Sequence, residues 1–371
     1  MNDIKFGIQL FYSQAYDLLK KKIISANKEN WDSLWLPDHL SGMPGGAIDD
    51  FLALWPLYGV FSEIAKEKWF GSAVTDPHRM HPAVLGQIAT TINHISGGKF
   101  ILGMGAGEGM NLKAYNIPYA SALTKMRESI ELMKLFWKKG KRVNFKGKFF
   151  QTKKAVLLPK PISEIPVWIA ANGPKTIQMT AEIADGWMPL GVSTDFYKSN
   201  VEKIKGIIQK DSSRDLSKFT FACFQRIFIN DDEEKISEQI KTNKFGIALQ
   251  PSFVRDMGYW KDEFDEIFCE ATGYKCDEIS YLKLDRDDVG KFDVNKLSVI
   301  VDSIPDEVIR DNLMIGTKEE VIKKIQKYMK LGAEYFLFEL INGVSSRNAP
   351  FTYWDVTKMI SEEIIPTIKG I

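Results

Sequence analysis

Two side chains in the amino-terminal third could exchange protons. One is His39, which follows Asp38 in "LWLPDHLSG". The other is Glu108, the lone acid of "ILGMGAGEGMN" (residues 101–111), where Gly103, Gly105, Gly107 and Gly109 take every second position. Histidine titrates near neutrality and can both give and accept a proton. A carboxyl in a glycine-walled, partly desolvated cleft has its pKa raised, which suits a proton carrier. The four histidines, His39, His78, His81 and His94, all lie in the first hundred residues, so any imidazole chemistry must come from there.

The glycines do not spell a phosphate loop. A dinucleotide fingerprint needs its third glycine at 110 or 108, and those positions hold Met110 and Glu108. No Gly-Lys-Ser/Thr follows. What remains is a strand end whose backbone needs unusual dihedrals or close approach to something flat. A tight turn packed on its own chain is the alternative.

The elements that must position these residues follow from composition and periodicity. The chain has 371 residues, 44% apolar and 26% charged, an ordinary globular balance. With 49 basic against 48 acidic residues, no field recruits nucleic acid or an anionic membrane. Cys223, Cys269 and Cys276 are scattered and form no C-x-x-C, so neither a metal site nor a disulfide framework is expected. Reduced cytoplasmic thiols are the default. No apolar run reaches membrane-spanning length, and the first residues lack a signal-peptide core.

Short apolar runs read as strands at 4–9, 33–36, 69–75, 100–104, 166–170, 186–189, 219–229 and 334–340. Helical stripes lie between most of them. From Leu123, the positions Met126, Ile130, Met133 and Trp137 step by three and four. Thr317 to Glu320 is a capping box, and Gly332 is placed to end that helix. Eight such runs alternating with helices predict a (β/α)8 TIM barrel, as one domain over 1–371; a doubly wound open sheet is the alternative. A hairpin is expected near 144–150. Residues 231–312 are too long for one crossover and predict a helical insertion over the active-site face.

In a barrel, chemistry gathers at the carboxyl ends of strands. There stand Asp38 and His39, then Ser72 to Asp76 with His81, then Glu108 and Asn111, then Asn172 and Gly173, then "ADGWMPLG".

Together "WLPDHL", "GSAVTDPHRMHPAVLGQIATTINHISGGKFILGMGAGEGMN", "MRESIELMKLFW", "VNFKGKFFQ", "VWIAANGPKTIQMTAEIADGWMP" and "GTKEEVIKKIQKYMKLGAEYF" resemble the bacterial-luciferase-like superfamily of barrel oxidoreductases. The resemblance covers residues 4 to about 200 and about 313 to 340. One branch binds FMN and activates oxygen. The other binds coenzyme F420, an 8-hydroxy-5-deazaflavin, and transfers hydride. Asp-His after strand two with Gly-Glu-x-x-Asn after strand four resembles the deazaflavin branch, above all its alcohol, sugar-phosphate and diolone-ketone members. Methylene-tetrahydromethanopterin reductases share the barrel and cofactor, but an aspartate and a lysine follow the glycines there, and this chain lacks them.

The resemblance implies roles. Asp38, Thr75, Asn111, Asn172, Gly173, Lys175 and Thr176 would hold the deazaflavin and its tail, and Gly107 with Glu108 would line its ring. A bulged non-prolyl cis peptide near Ser72-Ala73 would press on the ring face. His39 would exchange a proton with the substrate oxygen, and Glu108 one at the reduced end of the ring. Hydride transfer to a carbonyl leaves an alkoxide unless an acid delivers a proton, which fits that division. The glycines would then clear side chains away so that a flat ring lies close.

Other residues have plainer readings. His81 precedes a proline and reads as the start of a helix, and His94 as packing. His78 and Arg79 could touch acidic groups of the cofactor tail, and Asp76 could support the turn. Tyr259, Trp260 and Tyr274 could roof the pocket or pack in a loop. Leu40-Ser41-Gly42-Met43-Pro44 carries no aromatic residue after the histidine, and Gly191-Val192-Ser193 stands where sugar-phosphate members carry a lysine. The expected substrate is therefore a ketone, a secondary alcohol or a larger carrier such as a methylene-pterin. Three functions are weighed: a coenzyme F420-dependent reductase or dehydrogenase, an FMN-dependent monooxygenase, and a non-catalytic barrel. The first implies a small-molecule substrate, no metal, and a cytoplasmic, archaeal homodimer, since relatives commonly pair.

Overall fold

The computed structural model describes residues 4–10, 16–40, 51–138, 142–277, 279, 284, 288–341 and 352–370. All eight expected runs become strands of one parallel barrel. They are β1 (Lys5–Gln9), β2 (Ser33–Leu36), β3 (Trp69–Ser72), β4 (Phe100–Met104), β7 (Val167–Ile169), β8 (Gly186–Trp187), β9 (Thr220–Ile229) and β11 (Tyr335–Leu340). The order is β11-β1-β2-β3-β4-β7-β8-β9, and β9 pairs with both β8 and β11, which closes the ring. β5 (Val143–Lys146) and β6 (Gln151–Ala155) form the expected hairpin outside it. β10 (Met314–Gly316) pairs with the far end of β9.

The strands read as continuous apolar runs because both faces are covered. Outward residues such as Phe6, Ile8, Leu34, Phe70, Phe100 and Phe338 join one large core with the surrounding helices. These include α1 (Tyr16–Lys28), α2 (Leu54–Ile64), α3 (Pro82–Ile95), α4 (Ala122–Trp137), α5 (Pro174–Ile183) and α6 (Thr194–Ile208). Inward residues fill the lumen instead. Trp35, Trp168 and Tyr335 meet there with ring centroids 4.8–6.1 Å apart. Met188, Ala222, Phe224 and Leu337 complete that inner cluster. The lower lumen is thus packed solid, and only its carboxyl end can hold a ligand.

Residues 233–312 carry α7 (Glu233–Ala248), α8 (Pro251–Asp256), α9 (Phe264–Thr272), α10 (Val294–Ser303) and α11 (Asp306–Asn312). Phe264, Phe268, Leu297, Ile300 and Ile304 give them a small core of their own. α12 (Lys318–Lys330) opens on the expected capping box of Thr317 and Glu320. Gly332 follows it at φ +101°, a left-handed turn that glycine makes without a Cβ clash. α13 (Tyr353–Met359) and α14 (Ile365–Lys369) close the described chain. Among the described residues, no helix is long and apolar enough to cross a membrane.

Candidate active site

β2 ends at Leu36, and the chain turns at Asp38 and His39 over the barrel mouth. β4 ends at Met104, and the glycine run carries Glu108 into a short 3-10 turn, Gly109–Asn111. Asn111 joins the two segments. Its Oδ1 accepts the backbone N–H of Leu40 at 2.8 Å, which fixes the amide's orientation. Its Nδ2 then donates to Glu108 Oε2 at 3.1 Å and lies 2.9 Å from His39 Nδ1. His39 Nδ1 is itself 3.5 Å from Glu108 Oε2. An amide nitrogen only donates, so His39 Nδ1 is the acceptor and the ring proton sits on Nε2. Among the described residues, no hydrogen-bond partner meets that Nε2. Phe51 lies against the imidazole at 4.9 Å between centroids.

Burial sets the protonation of both groups. It lowers the His39 pKa to about 4, with the Arg79 charge adding to it; Asp38, Glu339 and the Asn111 bond work the other way. The expectation that His39 itself titrates near neutrality is thereby corrected. Burial raises Glu108 to about 7, opposed first by the charge of Arg226. A third of the Glu108 side chain is nevertheless accessible, as expected for a group in the wall of a deep cleft. Near neutral pH the imidazole is therefore neutral, and the carboxyl is the group of the two that gains and loses a proton.

A buried ion cluster braces the histidine from behind. Arg79 pairs with Asp38 (Nη2–Oδ2 2.8 Å) and with Asp76 (Nε–Oδ2 2.5 Å), and donates to the Asp38 carbonyl at 2.6 Å. Burial works against the guanidinium's charge, and the two aspartates more than offset it, so its pKa is raised. Thr75 donates to Asp38 Oδ2 at 2.6 Å. Asp76 also accepts from the backbone N–H of His78, as a turn support. His78 is held by the carbonyls of Pro118 and Ala106. Of the two readings open for His78 and Arg79, the structure shows both engaged with the protein.

The glycines also have an internal cause. A Cβ on Gly103 would lie 1.9 Å from the Ser72 carbonyl oxygen, one on Gly105 2.7 Å from Val74, and one on Gly107 2.9 Å from His78. They let the loop after β3 pass against β4. Ser72 is fully buried, and its hydroxyl spans Gly103, donating to O at 2.9 Å and accepting from N at 3.0 Å. Thr75 is 1% exposed. The side chains of Ser72 and Thr75 therefore act as internal braces between β3, β4 and the loops after β2 and β3. The expected cis peptide is present, between Ala73 and Val74.

The remaining predicted residues surround the start of α5. Asn172, Gly173 and Lys175 are exposed and Thr176 half-buried. Asn172 donates to the Leu190 carbonyl. A Cβ on Gly173 would find only Thr176 Oγ1, at 3.8 Å, so this glycine faces open space. His81 caps α3, accepting from Ala83 N at 3.1 Å, as expected. His94 is exposed and bonds the Lys160 carbonyl instead of packing. Trp260 packs on Phe264 and Phe268 within the insertion, and Tyr274 bonds Asp288. Ser41 to Pro44 fall outside the described residues.

With this geometry in place, comparison with known proteins is informative. The luciferase-like monooxygenase family matches residues 23–335. The chain belongs to that family. A 5,10-methylenetetrahydromethanopterin reductase of Archaeoglobus fulgidus is 26% identical over 368 residues, covering 99% of this chain and 100% of the relative. An F420-dependent glucose-6-phosphate dehydrogenase of Nakamurella multipartita is 29% identical, over 50% of this chain and 56% of its own length. Among solved structures, an F420-dependent secondary alcohol dehydrogenase in complex with an F420-acetone adduct superposes with a TM-score of 0.74. It is 21% identical and covers 99% of each chain. The full-length superposition on the solved structure fits the closed barrel described above.

Sequence reasoning missed Gln9, Arg226 and Glu339, which also reach the mouth. A signal for them existed: each is a polar residue toward the carboxyl end of a largely apolar strand, in "KFGIQ", "TFACFQRIFI" and "YFLFEL".

Proposed function

We propose that this protein is a coenzyme F420-dependent oxidoreductase acting between a carbonyl and a secondary alcohol, or on a methylene-pterin type substrate. The observation that carries the reading is the His39–Asn111–Glu108 cluster at the carboxyl end of a luciferase-like barrel, with no partner on His39 Nε2 among the described residues. The F420 dependence printed in the names of one curated relative and of the solved alcohol dehydrogenase supports it.

The residues fit the cofactor. The buried Gln9 Oε1 has no partner among the described residues and lies in the lumen row beneath the mouth. Gly173 leaves room at the start of α5, where backbone N–H groups and Lys175 suit an acidic tail. Asn172 and Thr176 flank that room; Asp38, Ala73, Gly107 and Asn111 border the mouth. When bound, coenzyme F420 supplies or accepts a hydride at C5 of its ring. The protein's part is the proton. His39 Nε2–H donates to the substrate oxygen as it gains charge. A neutral imidazole can do so only if Nδ1 takes a proton in turn. Glu108, at a pKa of about 7, holds one 3.5 Å away. That distance is long for a hydrogen bond, and such contacts tighten once substrate is bound. The same reading places the insertion over the mouth and the enzyme in the cytoplasm as a homodimer.

The test is direct. Purified protein is titrated with coenzyme F420 and with FMN, following ligand fluorescence. Loaded protein is then offered 2-propanol, acetone and methylene-tetrahydromethanopterin, following the deazaflavin's visible absorbance. F420 binding and turnover of one of these substrates are expected. Tight FMN binding without F420 affinity would make the protein a monooxygenase-type barrel and end the proposal.

A further inference from the structure

Gln9, Glu339 and Arg226 stand in register on three adjacent strands, Gln9 beside Glu339 and Glu339 beside Arg226. They share inward parity with Tyr335, Leu337, Ala222 and Phe224, and so form the layer above that packed cluster. Arg226 Nε donates to Glu339 Oε2 at 3.2 Å. Glu339 is 7% and Gln9 3% exposed, whereas a third of the Arg226 side chain is accessible. Gln9 donates to the Ala73 carbonyl at 2.6 Å, and its Oε1 is buried without a partner among the described residues.

An apolar row would pack this layer without desolvating a charge pair or orphaning an acceptor. The row therefore has the character of a ligand surface, a few placed polar groups in an apolar cavity. Its charges cancel. A free anion would meet Glu339 beside Arg226 and gain little, while a neutral group with both donor and acceptor is matched. The neutral planar group of that kind is the amide edge of a heterocycle, a lactam.

We propose that Gln9, Glu339 and Arg226 form a lactam-recognition subsite on the floor of the barrel mouth. Arg226 donates to a ring carbonyl, and acceptor oxygens of Glu339 and Gln9 take the ring N–H. The subsite deepens the oxidoreductase reading above, on which it rests for the presence of a ring in the mouth. The lactam could belong to the pyrimidinedione of the cofactor or to a pterin substrate, and experiment separates the two.

Wild type, Arg226→Gln, Arg226→Lys and Glu339→Gln are titrated with coenzyme F420, FMN and 6,7-dimethylpterin, reading ligand fluorescence, with thermal unfolding as the check of folding. At least one ring bound by wild type should lose tenfold or more in affinity in Arg226→Gln and Glu339→Gln. Arg226→Lys, which keeps the charge but not the planar fork, should fall between. Loss confined to F420 or FMN assigns the lactam to the cofactor; loss confined to the pterin assigns it to the substrate. Binding of FMN in place of F420 would end the F420 reading while leaving the subsite testable on FMN. If Arg226→Gln does not fold, Arg226→Lys and Glu339→Gln carry the comparison. Folded variants that bind every ring as wild type does, or a wild type that binds none, would overturn the proposal.

Discussion

The imidazole of His39 and the carboxyl of Glu108 meet within 3.5 Å, and one amide, that of Asn111, bonds to both. They come from loops after different strands, and the barrel makes them neighbours. Their pKa values are pushed apart in opposite directions, to about 4 and about 7. Such divergence marks pairs that divide acid–base work.

Glu108→Gln should be more stable than wild type at alkaline pH. The folded-state pKa is raised from 4.5 to about 7, so the native carboxyl holds its proton more tightly than the unfolded one. The contribution of Glu108 to wild-type stability is therefore full below pH 4.5 and is lost as pH rises through 7. Discounted for the accessible third of the side chain, the gain at pH 8 should be about 1–2 kcal/mol. It should close by pH 4, as read from urea unfolding at both pH values. Turnover with F420 should fall on the order of a hundredfold or more.

Asn111→Leu removes the bridge and leaves the Leu40 N–H without its acceptor. A loss of about 1–3 kcal/mol is expected. 15N NMR of the imidazole should show an unprotonated Nδ1 in wild type, and protonated Nδ1 gaining population in the variant as Glu108 replaces the amide as partner. An unchanged tautomer would mean that Asn111 does not orient the ring.

Arg79→Met strips the partner from two buried carboxylates, Asp38 and Asp76. Breaking such a pair costs about 3–5 kcal/mol. Denaturant unfolding should register that loss. Were Arg79 a cofactor-tail contact, F420 affinity would fall instead, at nearly constant stability.

Gly103→Ala and Gly173→Ala separate internal from ligand-facing glycine. At Gly103 the new Cβ meets a backbone carbonyl at 1.9 Å, which cannot swing aside. Overpacking of this kind costs about 1–3 kcal/mol or more. At Gly173 the space is open and φ is −81°, so stability should hold within about 0.5 kcal/mol. F420 affinity should drop in Gly173→Ala, measured by fluorescence quenching; an unchanged affinity would move the tail site elsewhere.

Much of this was legible in the chain. β2 and β4 match their apolar runs at both ends, because a strand buried on both faces leaves a run with no alternation. β3 is shorter than expected, since the chain leaves the ladder after Ser72 and only Thr75 returns to bridge Met104. The sequence marks Asn111 as a cofactor contact, and its bonds to His39 and Glu108 emerge only in the folded chain. The pairing of Arg79 with Asp38 and Asp76 is not legible in the sequence, because it forms only once the loops after β2 and β3 are side by side.

Residue order alone determined the barrel, its eight strands and the identity of the imidazole and the carboxyl at its mouth. Periodicity and glycine placement are local properties, and the chain carries them explicitly. Only the tertiary structure decided which of those two groups holds the proton, what the glycines accommodate, and that Gln9, Glu339 and Arg226 line up in one layer. Each of these depends on burial or on register between strands distant in sequence, and neither quantity exists until the ring has closed.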